Sequence, residues 1–203
     1  MKKMLALAVL LTAMLIIGCK SKREGTPKVL VFSKTMGFKH ASIPSGLAAI
    51  QKLGEENNFL VDTTKNAAVF TDENLQGYSA IIFLSTTGNV LDHNQEAAFE
   101  RYIQAGGGFV GIHAATDTEY DWNWYGRLVG AYFESHPSGT PEADFIIEDR
   151  DFIATKHFGD TVWHRTDELY NFKKINPDVQ VLMTVDESTY EGGTNGDYHP
   201  MSW

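Results

Sequence analysis

The chain has seven histidines. Five of them, His40, His113, His136, His164 and His199, fall in loops or at the ends of apolar runs. Imidazole is the common acid–base group near neutral pH and the commonest metal ligand. His93 opens a polar helical stretch and His157 follows Lys156, so both read as solvated surface residues. His113 closes a short apolar run, Phe109-Val110-Gly111-Ile112, which Gly106-Gly107-Gly108 precede and Ala114-Ala115-Thr116-Asp117 follow. Such a run reads as a buried parallel strand. The polar residue that ends it lies at the carboxyl edge of the sheet, where α/β proteins bind ligands. The small residues after it permit a sharp turn and close packing. His40 follows the first apolar run of the chain, so its loop is expected at the same crevice. A lone strand-end histidine is more often hydrogen-bonded to backbone than reactive; several at one edge shift that balance toward chemistry. No HExxH or CxxC spacing occurs. A metal site is therefore argued from convergence and not from spacing.

The neighbouring residues leave alternatives. Asp117 either caps the helix after it or orients His113 as a supporting carboxylate. Glu134 and His136, two apart, both point into the site if their segment is extended; otherwise Glu134 is an exposed loop acid. His164, with Asp167 and Glu168, offers a weaker set of the same kind. Trp122, Trp124 and Tyr125, in the stretch DWNWYG, either stack on a sugar ring or form the buried stripe of an amphipathic helix. Arg127 pairs with a substrate or with a surface acid. Cys19 is the only cysteine. Beyond it the chain has no disulfide and no thiol nucleophile, which excludes cysteine proteases and glutaminases on chemistry.

The elements that must position these groups follow from the apolar pattern. Lys28–Ser33, Phe59–Thr63, Ser79–Ser85 and Phe109–His113 are short strands. Ile43–Asn57 has helical spacing, with Ile43, Leu47, Ile50 and Leu53 on one face. Asp92–Ala105 is a second helix, with Asp92 as N-cap and Gly106 as stop. Strands and helices alternate, so the fold class is α/β: a three-layer, mostly parallel sheet with helices on both faces. After Tyr125 the long helices cease. Glu142–Glu148, Phe152-Ile153, Glu168–Phe172 and Val179–Val185 read as strands of a mixed or antiparallel extension.

The amino terminus reads as an export signal. Lys2 and Lys3 precede an apolar stretch, Met4–Ile17, too short to span a bilayer comfortably. Ile16-Ile17-Gly18-Cys19 then looks like a bacterial lipobox, which makes Cys19 the lipidation site. The expected organisation is a signal peptide over 1–18, a polar tether over 19–27 and one domain over 28–203. The chain is then exported to the bacterial cell envelope and held to the membrane by its lipid anchor only. The formal net charge of -9 and the lack of a long basic run argue against nucleic acid.

Several motifs together resemble one family. Gly106–Asp117, Tyr120–Tyr125, Leu128–Phe133, Thr35–Ser42 and His199-Pro200-Met201-Ser202-Trp203 look like the signature of the ThuA-like (trehalose utilisation) family. The resemblance implies a class I glutamine-amidotransferase-like, flavodoxin-like fold. True amidotransferases carry a cysteine nucleophile where His113 stands, and a His-Pro-Glu base motif where His199-Pro200-Met201 stands. By that analogy His199 faces His113. The resemblance thus implies His113, His199 and Asp117 as catalytic residues, and Trp122, Trp124, Tyr125, Glu134 and His136 as substrate-binding residues. His40, His113 and His199 become candidate ligands for a divalent metal such as zinc. The implied substrate is a small-molecule carbohydrate, a glycoside or 3-keto-glycoside, handled by histidine acid–base or metal-assisted chemistry. The alternative is a non-catalytic carbohydrate- or partner-binding lipoprotein on the same fold. Family members continue past the HPMSW motif, so the domain is expected to be incomplete at its carboxyl end.

Overall fold

The computed structural model describes residues 25–203. The lipobox and Cys19 lie outside the described residues. Four parallel strands form the central sheet: β1 (Lys28–Phe32), β2 (Leu60–Thr64), β3 (Ala80–Leu84) and β4 (Gly108–Ile112), in the order β2-β1-β3-β4. Val31 pairs with Ile82 and Ile82 with Val110, so the first, third and fourth apolar runs are neighbours as expected, but β4 is not the buried strand expected: it is the last strand of its sheet, and Val110 is 45% exposed. Helix α1 (Ile43–Asn57) covers one face. Its Ile43, Leu47 and Ile50 pack on Val31, Ile82 and Leu84. Leu53, expected on the same face, is 50% exposed, because the helix has turned Gly54 toward the sheet at that point.

A short helix α2 (Asp72–Leu75) and helix α3 (His93–Gln104) lie against the other face. There Phe32, Phe70, Phe83, Phe99 and Tyr125 form an aromatic core. Asp92 caps α3, its side chain accepting from the N–H groups of Asn94 and Gln95 while Gln95 returns a bond to the Asp92 N–H. This reciprocal arrangement satisfies donors that a helix start leaves open. Gly106, just past the helix, sits at φ +92°, a conformation that suits glycine.

Beyond β4 the chain makes a 3-10 turn, His113–Asp117, then helix α4 (Asn123–Val129) and strand β5 (Tyr132–Ser135). The extension is antiparallel. Strands β6 (Glu142–Ile147), β7 (Val162–Thr166), β9 (Met183–Val185) and β10 (His199–Ser202) form a sheet in the order β10-β9-β6-β7. Strand β8 (Asn171–Lys173) pairs with β5 in a separate ribbon. Phe152-Ile153, read as a strand, is a turn in which Ile153 is 74% exposed. Asp149 folds this turn by accepting from the N–H groups of Asp151 and Phe152, an Asx-type turn that competes with strand pairing. Among the described residues no helix is long and apolar enough to cross a membrane.

Candidate metal centre at the carboxyl edge

His113 stands where β4 stops. Its φ of +54° places it in the left-handed region, which histidine visits more readily than bulky β-branched residues do. That sharp bend turns its ring off the strand axis, and Ala114 and Ala115 pack wholly buried behind it. His40 comes from the loop after β1 and is buried. Its ring meets that of His113 edge-on, centroids 4.6 Å apart. The two histidines therefore converge at one crevice.

The carboxylate that joins them is Glu168. Its Oε2 lies 2.9 Å from His113 Nε2 and 3.4 Å from His40 Nε2. Its Oε1 lies 3.4 Å from Nε2 of His136, which projects from the end of β5 on the exposed rim. Tyr170, two residues after Glu168, closes the group from behind. Its hydroxyl lies 3.1 Å from His40 Nε2, and its ring packs on His113 with centroids 4.3 Å apart.

His40, His113 and Glu168 each offer one ligand atom, all within 4.8 Å of one another. Nitrogen and oxygen ligands at about 2.0–2.2 Å from one zinc-like ion lie roughly 3–4 Å apart. The separations to Glu168 fall in or just under that range, so the donor set fits a divalent ion. Burial pushes the His113 imidazole below the ordinary histidine value, and the neighbouring His40 adds to this against the opposing pull of Glu168. A neutral ring is the ligating form. The buried His40 Nδ1 has no hydrogen-bond partner among the described residues, while Nε2 faces the shared carboxylate. Burial pushes the Tyr170 hydroxyl up, helped by the charges of Glu168 and Asp117, so it stays a protonated donor.

Other expected site residues lie elsewhere. His199 is completely buried and both of its ring nitrogens are taken: Nδ1 lies 2.8 Å from Glu187 Oε1, and Nε2 lies 2.8 Å from the Tyr170 carbonyl oxygen. It does not join His40 and His113, because β10 pairs with β9 in the antiparallel sheet and brings His199 in behind Tyr170. Asp117 does not orient His113. It accepts a 2.6 Å bond from the Tyr120 hydroxyl, and Glu168 is the acid at the imidazole.

Tyr125 belongs to the aromatic core, and the half-buried Trp122 and Trp124 pack against it. Tyr125 is fully buried with its hydroxyl donating to Ala115 O, and the two tryptophans stack on each other and pack against Phe99. Glu134 is exposed, on the opposite side of its strand from Phe133. His164 pairs with Asp144 across β6 and β7, away from the centre. Tyr170 is the group that sequence reasoning left out of the site, and Glu168, weighed only as a companion of His164 and Asp167, sits instead at His113 and His40. The stretch Glu168-Leu169-Tyr170-Asn171-Phe172 carried the available signal, since alternation puts Glu168 and Tyr170 on one side of an extended segment.

A largely apolar cleft of about 820 Å³ opens beside His113, Glu168 and Tyr170, with Trp163, Arg165 and Trp203 among its walls. That is within the size range of small-molecule sites.

Comparison with known proteins gives a consistent outline. The family model ThuA, described as "Trehalose utilisation", matches residues 28–203. A search of curated proteins finds no significant match. Two solved structures share the fold. A protein described as ThuA-like from Bacteroides uniformis ATCC 8492 is 23% identical with a TM-score of 0.71, over 92% of this chain and 79% of that one. Another, from Parabacteroides merdae ATCC 43184, is 20% identical with a TM-score of 0.69, over 87% of this chain and 74% of that one.

Proposed function

The chain belongs to the ThuA family, described as trehalose utilisation, and from that premise we propose that it is a carbohydrate-processing enzyme whose centre is His40, His113 and Glu168. The observation that carries this reading is the convergence of His113, at the end of β4, and His40, from the loop after β1, on one carboxylate at the sheet edge. The substrate class is a glycoside or its 3-keto derivative, which suits the family description and the size of the adjoining cleft. His40, His113 and Glu168 would hold a divalent ion, which supplies Lewis-acid polarisation of a sugar carbonyl or hydroxyl oxygen. The Tyr170 hydroxyl, kept protonated by burial, stands beside the centre, 3.1 Å from His40 Nε2. His136 on the rim is the imidazole left over for moving a proton. In a keto-sugar the C–H next to the ketone is acidic. His136 takes that proton as the electron pair shifts toward the carbonyl oxygen. Delivery of that proton to the former carbonyl carbon, as the adjacent hydroxyl proton passes to the enolate oxygen, completes an isomerisation; alternatively the enolate expels the neighbouring oxygen substituent, which takes the proton from the His136 imidazolium, and this completes an elimination. We also propose that the chain is exported and anchored through lipid on Cys19.

The test is a zinc titration paired with turnover of a 3-keto-glucoside. Wild type should bind one zinc per chain and lose turnover to chelator. His113→Asn and Glu168→Gln should each weaken zinc binding at least tenfold. Sugar binding that ignores chelator and survives His113→Asn, with no turnover, would instead support a non-catalytic binding protein.

A further inference from the structure

His199 has no place in the centre, yet it is completely buried with both ring nitrogens engaged. Its Nε2 holds the carbonyl oxygen of Tyr170, 2.8 Å away. Its Nδ1 meets Glu187 Oε1 at 2.8 Å, with the Tyr190 hydroxyl 3.3 Å from the same nitrogen. Glu187 Oε1 also accepts the N–H groups of Asn195 at 2.7 Å and Gly196 at 3.0 Å.

The loop tied down this way grips the same strand again. Asn195 accepts from the Phe172 N–H and donates to the Phe172 carbonyl, each at 2.8 Å. Asn171 donates to Gly192 O at 2.9 Å and accepts from Thr194 N at 3.0 Å. The segment 187–199 is thus a clasp around residues 170–172, and the Glu187–His199 pair is its centre.

What the clasp holds is Tyr170, whose hydroxyl meets His40 and whose ring packs on His113, and which follows Glu168 by two residues. We infer that His199 and Glu187 are positioning residues: they fix the backbone at Tyr170 and so set the spacing of His40, His113 and Glu168. This rests on the proposed reading of those three as a metal centre. Neither His199 nor Glu187 is itself a ligand, since their polar atoms face each other, the Tyr190 hydroxyl and the backbone.

The experiment compares wild type, His199→Gln and Glu187→Gln by imidazole ¹⁵N NMR without metal and by zinc titration. Each glutamine keeps a polar group in the clasp, so folded protein is expected from both, checked by circular dichroism. The inference predicts that the His40 and His113 resonances move in both variants while those of His93 and His157 stay. Zinc affinity should fall about tenfold, the lower end of what outer supporting groups contribute. Unmoved resonances with zinc affinity within twofold of wild type, in a folded variant, would overturn it. If only Glu187→Gln folds, that variant decides. If neither folds, the pair serves folding alone and the inference is overturned. Should wild type bind no zinc, the metal reading fails, and the resonances still judge the positioning role.

Discussion

Glu119 offers the most quantitative test of the scaffold under the centre. It follows the turn that His113 begins, and it is 2% exposed. Its Oε1 accepts two main-chain donors, Val90 N at 2.7 Å and Leu91 N at 2.8 Å, from the loop between β3 and α3. Its own carbonyl accepts from the Tyr132 hydroxyl at 2.9 Å. Glu119→Ala leaves the two loop N–H groups without an acceptor. An orphaned buried donor costs about 1–3 kcal/mol, so with two of them the variant should lose roughly 2–6 kcal/mol. That is a large part of a typical domain stability of about 5–15 kcal/mol. Burial pushes the Glu119 carboxyl up, outweighing its two backbone bonds. The fold therefore needs an acceptor oxygen at this point more than a charge. Glu119→Gln keeps the oxygen and should stay within about 1 kcal/mol of wild type at neutral pH. The pH dependence has a definite sign. A raised native pKa means that the native state binds more protons than the unfolded chain between the ordinary carboxylate value and the raised one. This group's contribution is most favourable at the acid end of that window and declines as pH rises through it. Urea unfolding followed by tryptophan fluorescence at several pH values measures all of this, with the slope m expected to be unchanged. An alanine variant that loses less than about 1 kcal/mol would refute the role of the two bonds. A glutamine variant as unstable as the alanine one would show that charge, not the acceptor, is what matters.

Three further outcomes can be checked. Cys19→Ser should abolish incorporation of labelled lipid and leave an unprocessed precursor; normal labelling would remove the anchoring proposal. Trp124→Ala should cost about 2–4 kcal/mol of stability through lost packing on Phe99 and Trp122, with sugar affinity of the folded protein unchanged. A selective loss of sugar affinity in calorimetry would restore the stacking role. Asp117→Asn should leave zinc affinity within about twofold of wild type, because its carboxylate meets Tyr120 and not His113; a tenfold loss would return it to the centre.

The central sheet was legible because β1, β3 and β4 are short apolar runs with helix signals between. Asp92 and Gly106 bounded α3 for local reasons that sequence displays directly. His113 was legible because a polar residue ending a parallel strand lies at the carboxyl edge, and His40 because the loop after β1 opens at that same edge. The second half reads poorly because its strands pair antiparallel across long separations, as β6 does with β7 and β9. Nothing local announces such partners. Glu168 reaches His113 from 55 residues away, which no spacing rule could reveal. His199 was misplaced because the His-Pro analogy fixes a motif but not what faces it. In the structure the ring meets Glu187 and the Tyr170 carbonyl. The tryptophans of DWNWYG were ambiguous in sequence, and α4 resolved them by burying Tyr125 in the aromatic core.

The most direct measurement is an anomalous difference map at the zinc edge from crystals equilibrated with zinc. The account predicts one strong peak bonded to His40 Nε2, His113 Nε2 and Glu168 Oε2, at about 2.0–2.2 Å from each. A zinc-saturated crystal with no density there, or with its peak only at surface pairs such as His164 and Asp144 or His93 and Glu96, would contradict it.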